Sequence, residues 1–423
     1  MHFVRHCGQL LLATCFVLAP ARAQVPLTLP EAQRLAVSRS QQVAAQDAAA
    51  QAARELAAAA GQLPDPVLKL GVDNLPVNGA DRFSLSRDFM TMRRIGLMQE
   101  LPRADKRRLK VERVERDLQR IGADRIQAVA TVQQGTALAW IERHYNRQML
   151  ELLQRQLEET RRQEQGAEIA YRGGRGSQAE VFAARTAVVL LQDRITQAER
   201  QLRAARLMLA RWIGADAEAR AATPVDWRQA PIAAPVAGRL AELPQLRQLA
   251  AQVAAAETEL RQAQANTRAD WTVEATYAQR GPAYSNMVSI GIAIPLQLDR
   301  ANRQDREVAA RRAALAEAQA RYQDALAAQE AEVGVLQSDW TANMQRLEQL
   351  AAGLVPSAQQ RTEAALAAYR AGRGDLASVL AARRDETEAR MQLLSLEMET
   401  ARQWAQLGFL IPDTPAMPQK EQP

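Results

Sequence analysis

Thiols, imidazoles and aromatic rings are scarce in this chain of 423 residues: two cysteines, three histidines and 4% aromatic side chains. Both cysteines (Cys7 and Cys15) and two histidines fall near the start. There, Arg5 precedes an apolar stretch from Leu10 to Leu18, and Ala21-Arg22-Ala23 offers the small-x-small pattern read by signal peptidase. Cleavage before Gln24 is expected, so residues 1–23 read as a signal peptide and the mature chain as exported. Its removal leaves no thiol and His144 as the one imidazole, which excludes a disulfide framework, a Cys/His zinc site and a cysteine nucleophile. The one competing signal is Leu12-Ala13-Thr14-Cys15, a faint lipoprotein box with an unusual Thr before Cys15.

Long apolar runs are absent too. After residue 23 no stretch of 18 apolar residues exists, so no transmembrane helix is expected, and the remaining way to cross a bilayer is as strands of a closed barrel. Charge of one sign is not concentrated either. The formal +6 falls to +4 without Arg5 and Arg22, and arginines alternate with acids and glutamine, as in DKRRLKVERVERDLQR. With few aromatics to stack bases, this pattern is a solvated helix face and not a nucleic-acid surface. No phosphate-binding glycine loop and no catalytic cluster emerges; His144 lies in the helical pattern TALAWIERHYNRQ. No enzyme, no cofactor and no resident metal is expected. Met90, Met92 and Met98 are thioethers suited to soft cations, but they read better as loop and strand residues, without an imidazole or thiolate beside them.

Proline is missing from 103 to 223, 296 to 355 (apart from the flanking Pro295 and Pro356) and 357 to 411, windows rich in Ala, Gln, Glu, Arg and Leu. Long helices follow. Leu191, Ile195, Ala198, Leu202, Ala205, Leu209 and Trp212 are spaced 4-3-4-3-4-3, and Trp340, Met344, Leu347, Ala351 and Leu354 continue the same rule, a coiled-coil seam.

Two hairpins of alternating pattern interrupt these helices. In the second, about 271–296, Trp271, Val273, Ala275 and Tyr277 oppose Thr272, Glu274 and Thr276, and Val288, Ile290, Ile292, Ile294 and Leu296 oppose Ser289, Gly291 and Ala293. The first, about 65–101, sets Leu68, Leu70 and Val72 against Lys69, Gly71 and Asp73 before Arg94 to Leu101. Strands of this length cross a bilayer at a tilt, and four from each of three chains make a barrel of twelve.

One phrase occurs twice. AYRGGRGSQAEVFAAR at 170–185 and AYRAGRGDLASVLAAR at 368–383 agree at 11 of 16 positions, 198 residues apart. Each reads as a tight helical hairpin tip: a glycine to end one helix, an exposed Arg175 or Arg373, then Ser177 (with Glu180) or Asp375 to cap the next. A well-made turn accounts for either tip alone; the repetition of Gly-Arg-Gly points to contact with a partner. The chain divides accordingly: 24–213 as a first repeat with its tip at 173–176, a connector at 214–243 outside the helical wall, 244–411 as a second repeat with its tip at 371–374, and a disordered tail at 412–423. The repeat is helix-strand-strand-helix-helix, and the fold class is mainly α with a small β part.

Over its mature length, in LTLPEAQRLAV, in the two tip phrases ending VFAAR and VLAAR, and in the helix-strand-strand-helix duplication, the chain resembles the TolC-type outer-membrane efflux proteins. QLPDPVLKLGVDNLP followed by MRRIGLMQELPRADKRR is similar to the members that serve heavy-metal cation efflux. The resemblance implies a homotrimer with a twelve-stranded barrel among outer-membrane lipid and a long periplasmic helical tunnel. It also implies a periplasmic adaptor protein and an inner-membrane RND-type pump as partners. On these positions it implies adaptor contact at Gly174, Arg175, Gly176, Gly372, Arg373 and Gly374, and gating at Glu180 and Asp375. It further implies that Trp271, Val273, Tyr277, Val288, Ile290, Ile292 and Ile294 face outward from the barrel. Where some relatives carry paired aspartates after the second tip, this chain has Ser378 and Ala381. Export of drugs or secreted polypeptides on the same fold, or a periplasmic coiled-coil scaffold, are the competing readings.

Overall fold

The structure is a computed structural model that describes residues 26–220, 224–229 and 236–411. The expected signal peptide, the tail from Pro412 and part of the connector lie outside the described residues.

The chain opens with α1 (Leu29–Arg39), started by a capping box in which Thr28 and Glu31 satisfy each other's groups. Ser40 then breaks the helix and caps α2 (Gln41–Ala60), its hydroxyl accepting from the Val43 N–H at 3.3 Å. This break has no proline or glycine to announce it. Strands β1 (Val67–Asp73) and β2 (Met92–Leu101) follow, then α3 (Ala104–Arg172), 69 residues and about 100 Å long at the usual helical rise. After the first tip, α4 (Gln178–Ile213) runs back along α3. The seam expected on α4 is the packed one, with Ala198, Leu202, Ala205 and Leu209 all buried. At one point the two helices nearly touch: a Cβ added to Gly135 would lie 2.6 Å from the Trp212 ring.

The connector carries a short helix α5 (Ala215–Ala219) and a 3-10 turn at Val236–Glu242. The second repeat mirrors the first: α6 (Pro244–Ala265), β3 (Trp271–Gln279), β4 (Met287–Ala293), α7 (Gln304–Gln349), α8 (Val355–Arg370) and α9 (Leu376–Gly408). Two expectations are corrected here. The strand predicted to reach Leu296 ends at Ala293, so Ile294 lies just past the ladder, ahead of Pro295, which has no N–H to give it. The seam through Trp340 also fails after Leu347. Leu350–Leu354 form a π-helical turn, because Pro356 cannot donate to the carbonyl four residues back, and the extra residue in the turn rotates Ala351 and Leu354 out to the surface.

The four strands form one antiparallel sheet in the order β1-β2-β3-β4. The helices attached to them pack in the same order, α2 on α3, α3 on α6 and α6 on α7. The sheet therefore runs on, strand by strand, into a single layer of helices. The main core gathers Leu29, Ala32 and Ala36 of α1, Val132, Trp140 and Ile141 of α3, Leu209 and Ile213 of α4, and Leu396, Ala401 and Ala405 of α9. Small residues let these helices approach closely.

Candidate functional site

Ladder register decides what each face of the sheet presents. Leu70, Ile95, Tyr277 and Val288 form one cross-strand row, and Leu68, Leu97, Ala275 and Ile290 the next. Paired residues share a face, so the apolar sides of all four strands coincide. That face is bare: Leu70, Val288 and Ile290 are 71%, 73% and 77% exposed. Trp271, Val273 and Ile292 extend it towards the helices, while Gln99 interrupts it and donates to the Pro64 carbonyl at 2.7 Å. The opposite face holds Lys69, Gly96, Thr276 and Ser289 in one row, with ion pairs between Lys69 and Glu274 (2.7 Å) and between Arg94 and Asp73 (3.3 Å). Met92 and Met98 are strand residues opposite Asp73 and Val67, and Met90 lies in the loop.

At the far end of the helices, the two tips share one geometry. Arg175 N–H donates to the Ala170 carbonyl and Arg373 N–H to the Ala368 carbonyl, both at 2.9 Å. Gly174 and Gly372 donate to the carbonyls of Tyr171 and Tyr369, with φ of +67° and +69°. This is the Schellman ending, which needs a left-handed residue. The later glycines serve close approach instead: a Cβ on Gly176 would sit 3.2 Å from the Ala170 Cβ, and one on Gly374 3.3 Å from the Ala368 Cβ. Arg175 and Arg373 are exposed, and their guanidinium groups have no ion pair among the described residues.

The next helices start as expected. Ser177 Oγ accepts from the Glu180 N–H, and Glu180 Oε2 accepts from the Ser177 N–H at 2.8 Å. Asp375 Oδ1 accepts from the Ser378 N–H at 2.8 Å; hydrogen bonds from the Ser378 hydroxyl and backbone hold its carboxyl below the ordinary value. Sequence reasoning missed that Glu180 does more. Its second oxygen accepts from the Leu376 N–H at 3.5 Å, joining the starts of α4 and α9. Beneath this link Ala167, Val181, Ala184, Leu376 and Val379 are buried together, and Tyr369 has its phenol pushed up by burial and then by the Glu180 charge.

Between α4 and α9 lies a groove of about 440 Å³, with Leu190, Leu380 and Ala381 on its walls and Arg194, Arg383 and Arg384 around them. Arg194 meets Glu388 at 3.3 Å, and Arg383 pairs with Glu159. Neither Ser378 nor Ala381 brings an acid to this region.

The connector is fastened by a contact no local pattern announces. Trp227, buried against α3, donates its indole N–H to the Tyr145 hydroxyl at 2.7 Å, and Arg228 reaches Glu397 of α9 at 3.3 Å. Burial pushes up both the Tyr145 hydroxyl and the Glu397 carboxyl. His144 is half-buried beside Tyr145 and within 2.9 Å of the Gln148 amide; burial, then Arg143 and Arg147, lowers its pKa. It is a packed surface residue. Among the described residues no cluster of three or more metal-ligating side chains occurs, and no helix is long and apolar enough to cross a membrane.

No protein-family model matches the sequence, and no curated protein matches it. Solved structures do. The outer membrane protein VceC of Vibrio cholerae aligns at 19% identity over 90% of this chain and 95% of its own, with a TM-score of 0.75. CusC, described for its transmembrane channel formation, aligns at 14% identity over 90% and 91%, with a TM-score of 0.77. The Campylobacter jejuni CmeC outer membrane channel aligns at 13% identity over 90% and 85%, with a TM-score of 0.76. With a bare apolar sheet face at one end, paired tips at the other and these likenesses along nine-tenths of its length, the chain has the TolC-type fold of outer-membrane channels.

Proposed function

We propose that this protein is the outer-membrane channel of a tripartite efflux system, a passive homotrimeric conduit that lets substrate pass from an inner-membrane pump and a periplasmic adaptor to the exterior. One observation carries the reading: a sheet apolar on one face and ion-paired on the other, continuous with a single layer of long helices. Three copies supply twelve strands, whose apolar rows then face lipid and whose polar rows line the lumen, the arrangement a membrane barrel requires. A conduit needs no catalytic group, since the partner pump supplies the energy.

The helical ends are the adaptor-contact and gating region of this reading. Gly174, Arg175, Gly176, Gly372, Arg373 and Gly374 present the contact surface, and Glu180 and Asp375 act at the gate. Opening separates α4 from α9 as rigid hairpins, a change between two packed states that breaks the Glu180–Leu376 link. The proposed cargo is a heavy-metal cation, on the strength of the resemblance in QLPDPVLKLGVDNLP and MRRIGLMQELPRADKRR.

Deleting the gene in its native host and measuring growth inhibition across copper, silver, zinc, cobalt, cadmium and a panel of organic drugs tests this. Sensitisation to the metals alone is the expected result. Sensitisation to drugs alone would keep the conduit and overturn the cargo, and a mature protein recovered in the soluble periplasmic fraction would overturn the channel.

A further inference from the structure

All four strand-to-helix junctions lie at one end of the sheet, because the strands are antiparallel and each is tied at that end to a helix. The chemistry there changes abruptly. The apolar face ends in an exposed rim, with Trp271 at 51%, Ile294 at 46%, Leu296 at 77% and Leu298 at 90%. Immediately beyond, the cap and first turns of α3 read Arg103-Ala-Asp-Lys-Arg-Arg-Leu-Lys110, and the approach to α7 and its first turns carry Arg300, Arg303, Arg306, Arg311 and Arg312.

Four of the local acids are already taken, while Asp65, Glu100, Asp299 and Glu307 form no ion pair among the described residues and leave the junction still in basic excess. Asp270 pairs with Lys106 at 2.6 Å, Asp105 lies 3.6 Å from both Arg103 and Arg268, Asp305 pairs with Arg300 at 2.9 Å, and Glu259 pairs with Arg311 at 2.7 Å. Arg107, Arg108, Lys110, Arg303, Arg306 and Arg312 are left without an ion pair among the described residues. Lys106, Arg107 and Lys110 converge on a hollow of about 500 Å³ walled by Leu63 and Pro64, with Asp65 at its edge. The Arg107 Nε is buried there with no hydrogen-bond partner. At the opposite end of the sheet the arginines are engaged: Arg280 donates to the Phe89 carbonyl, Arg82 stacks on Phe83 and Arg87 lies 3.5 Å from Asp81.

We propose that this junction binds the phosphodiester headgroups of anionic glycerophospholipids in the leaflet facing the helices. Arg107, Arg108 and Lys110 on α3, with Arg303 and Arg306 at α7, meet the phosphates, and Leu296 and Leu298 lie against the first acyl carbons. The inference rests on the barrel reading above. Its physical basis is the attraction of a basic juxtamembrane cluster to anionic lipid, with a tryptophan at the boundary.

The test reconstitutes the full mature chain into nanodiscs of phosphatidylcholine alone and of equimolar phosphatidylcholine and phosphatidylglycerol, then extracts it gently and measures the retained lipid by mass spectrometry. The wild type retains phosphatidylglycerol in excess of its bilayer share. The variant R107Q/R108Q/K110Q loses that excess by about fivefold for each charge removed. The variant R303Q/R306Q/R312Q tests the same surface should the first fail to assemble, and R82Q/R87Q at the opposite end retains the wild-type excess. Retention in bilayer proportion by the wild type, or an unchanged excess in both junction variants, overturns the lipid site while leaving the barrel intact. Failure to insert into either bilayer overturns both.

Discussion

The Glu180 carboxylate on α4 accepts from the backbone N–H of Leu376 on α9, 3.5 Å away and 196 positions along the chain, while still capping its own helix through Ser177. One side chain thus ties the two glycine tips together. Glu180→Ala removes the reciprocal half of the capping box and the link to Leu376, while Ser177 still caps the helix through the backbone N–H of residue 180. It is expected to raise the resting conductance of the channel in planar bilayers, whereas Glu180→Gln, which keeps an acceptor oxygen, changes it less. Equal conductance in wild type and Glu180→Ala would remove Glu180 from the gate.

Gly174 and Gly372 hold the left-handed ending of α3 and α8, so Gly174→Ala or Gly372→Ala costs roughly 1–2 kcal/mol each. The expected consequence is a distorted tip, read as weaker crosslinking of the tips to the adaptor at unchanged outer-membrane abundance. Arg175→Ala and Arg373→Ala leave the backbone alone and separate loss of contact from loss of shape.

The sheet predicts a strict asymmetry between neighbours. Ile290→Arg puts a charge on the bare apolar face and costs about 2–4 kcal/mol if that position lies near the bilayer midplane. Ser289→Arg, one residue earlier on the other face, is tolerated. Heat-resistant trimer on a gel, prepared from outer membranes, reads the difference; equal behaviour of the two would mean that the face does not meet lipid.

Trp227→Phe keeps most of the ring and removes the indole donor to Tyr145, an expected loss of about 1 kcal/mol. Trp227→Ala empties the site and costs roughly 3–5 kcal/mol. Thermal melting in detergent orders the two, and an alanine variant melting with the wild type would mean that the connector is not anchored there.

Asp375 sets a pH dependence of known sign. Its folded carboxyl lies below the ordinary 3.8, because hydrogen bonds from Ser378 favour the charged form. The stability it lends the start of α9 is therefore complete above 3.8 and is lost as pH falls through the lowered folded value. Asp375→Asn, which caps without titrating, flattens that part of the acid melting profile.

Much of this was legible in the residues because the governing chemistry is local. The Thr28–Glu31 and Ser177–Glu180 boxes, the glycine endings at Gly174 and Gly372, and the alternation from Trp271 to Tyr277 each lie within a few residues of what they determine. The register that gathers four apolar strand faces into one was only half visible, since alternation gives each strand a face but not its partners. What the sequence hid is long-range or cumulative. Trp227 finds Tyr145 across 82 positions, Glu180 finds Leu376 across 196, and the π turn at Leu350–Leu354 arises from a missing N–H at Pro356 that shifts the seam upstream of it.

Strands β1 and β4 are the two ends of an open row, each with a neighbour on one side only. A row of free backbone donors and acceptors is a template for whatever strand arrives next. For a single newly exported chain that makes the same sheet a hazard, adhesive along both edges and greasy across one face. Closure with further copies uses up both edges at once. The span before those edges are covered is therefore when the sheet is most open to pairing with the wrong strand.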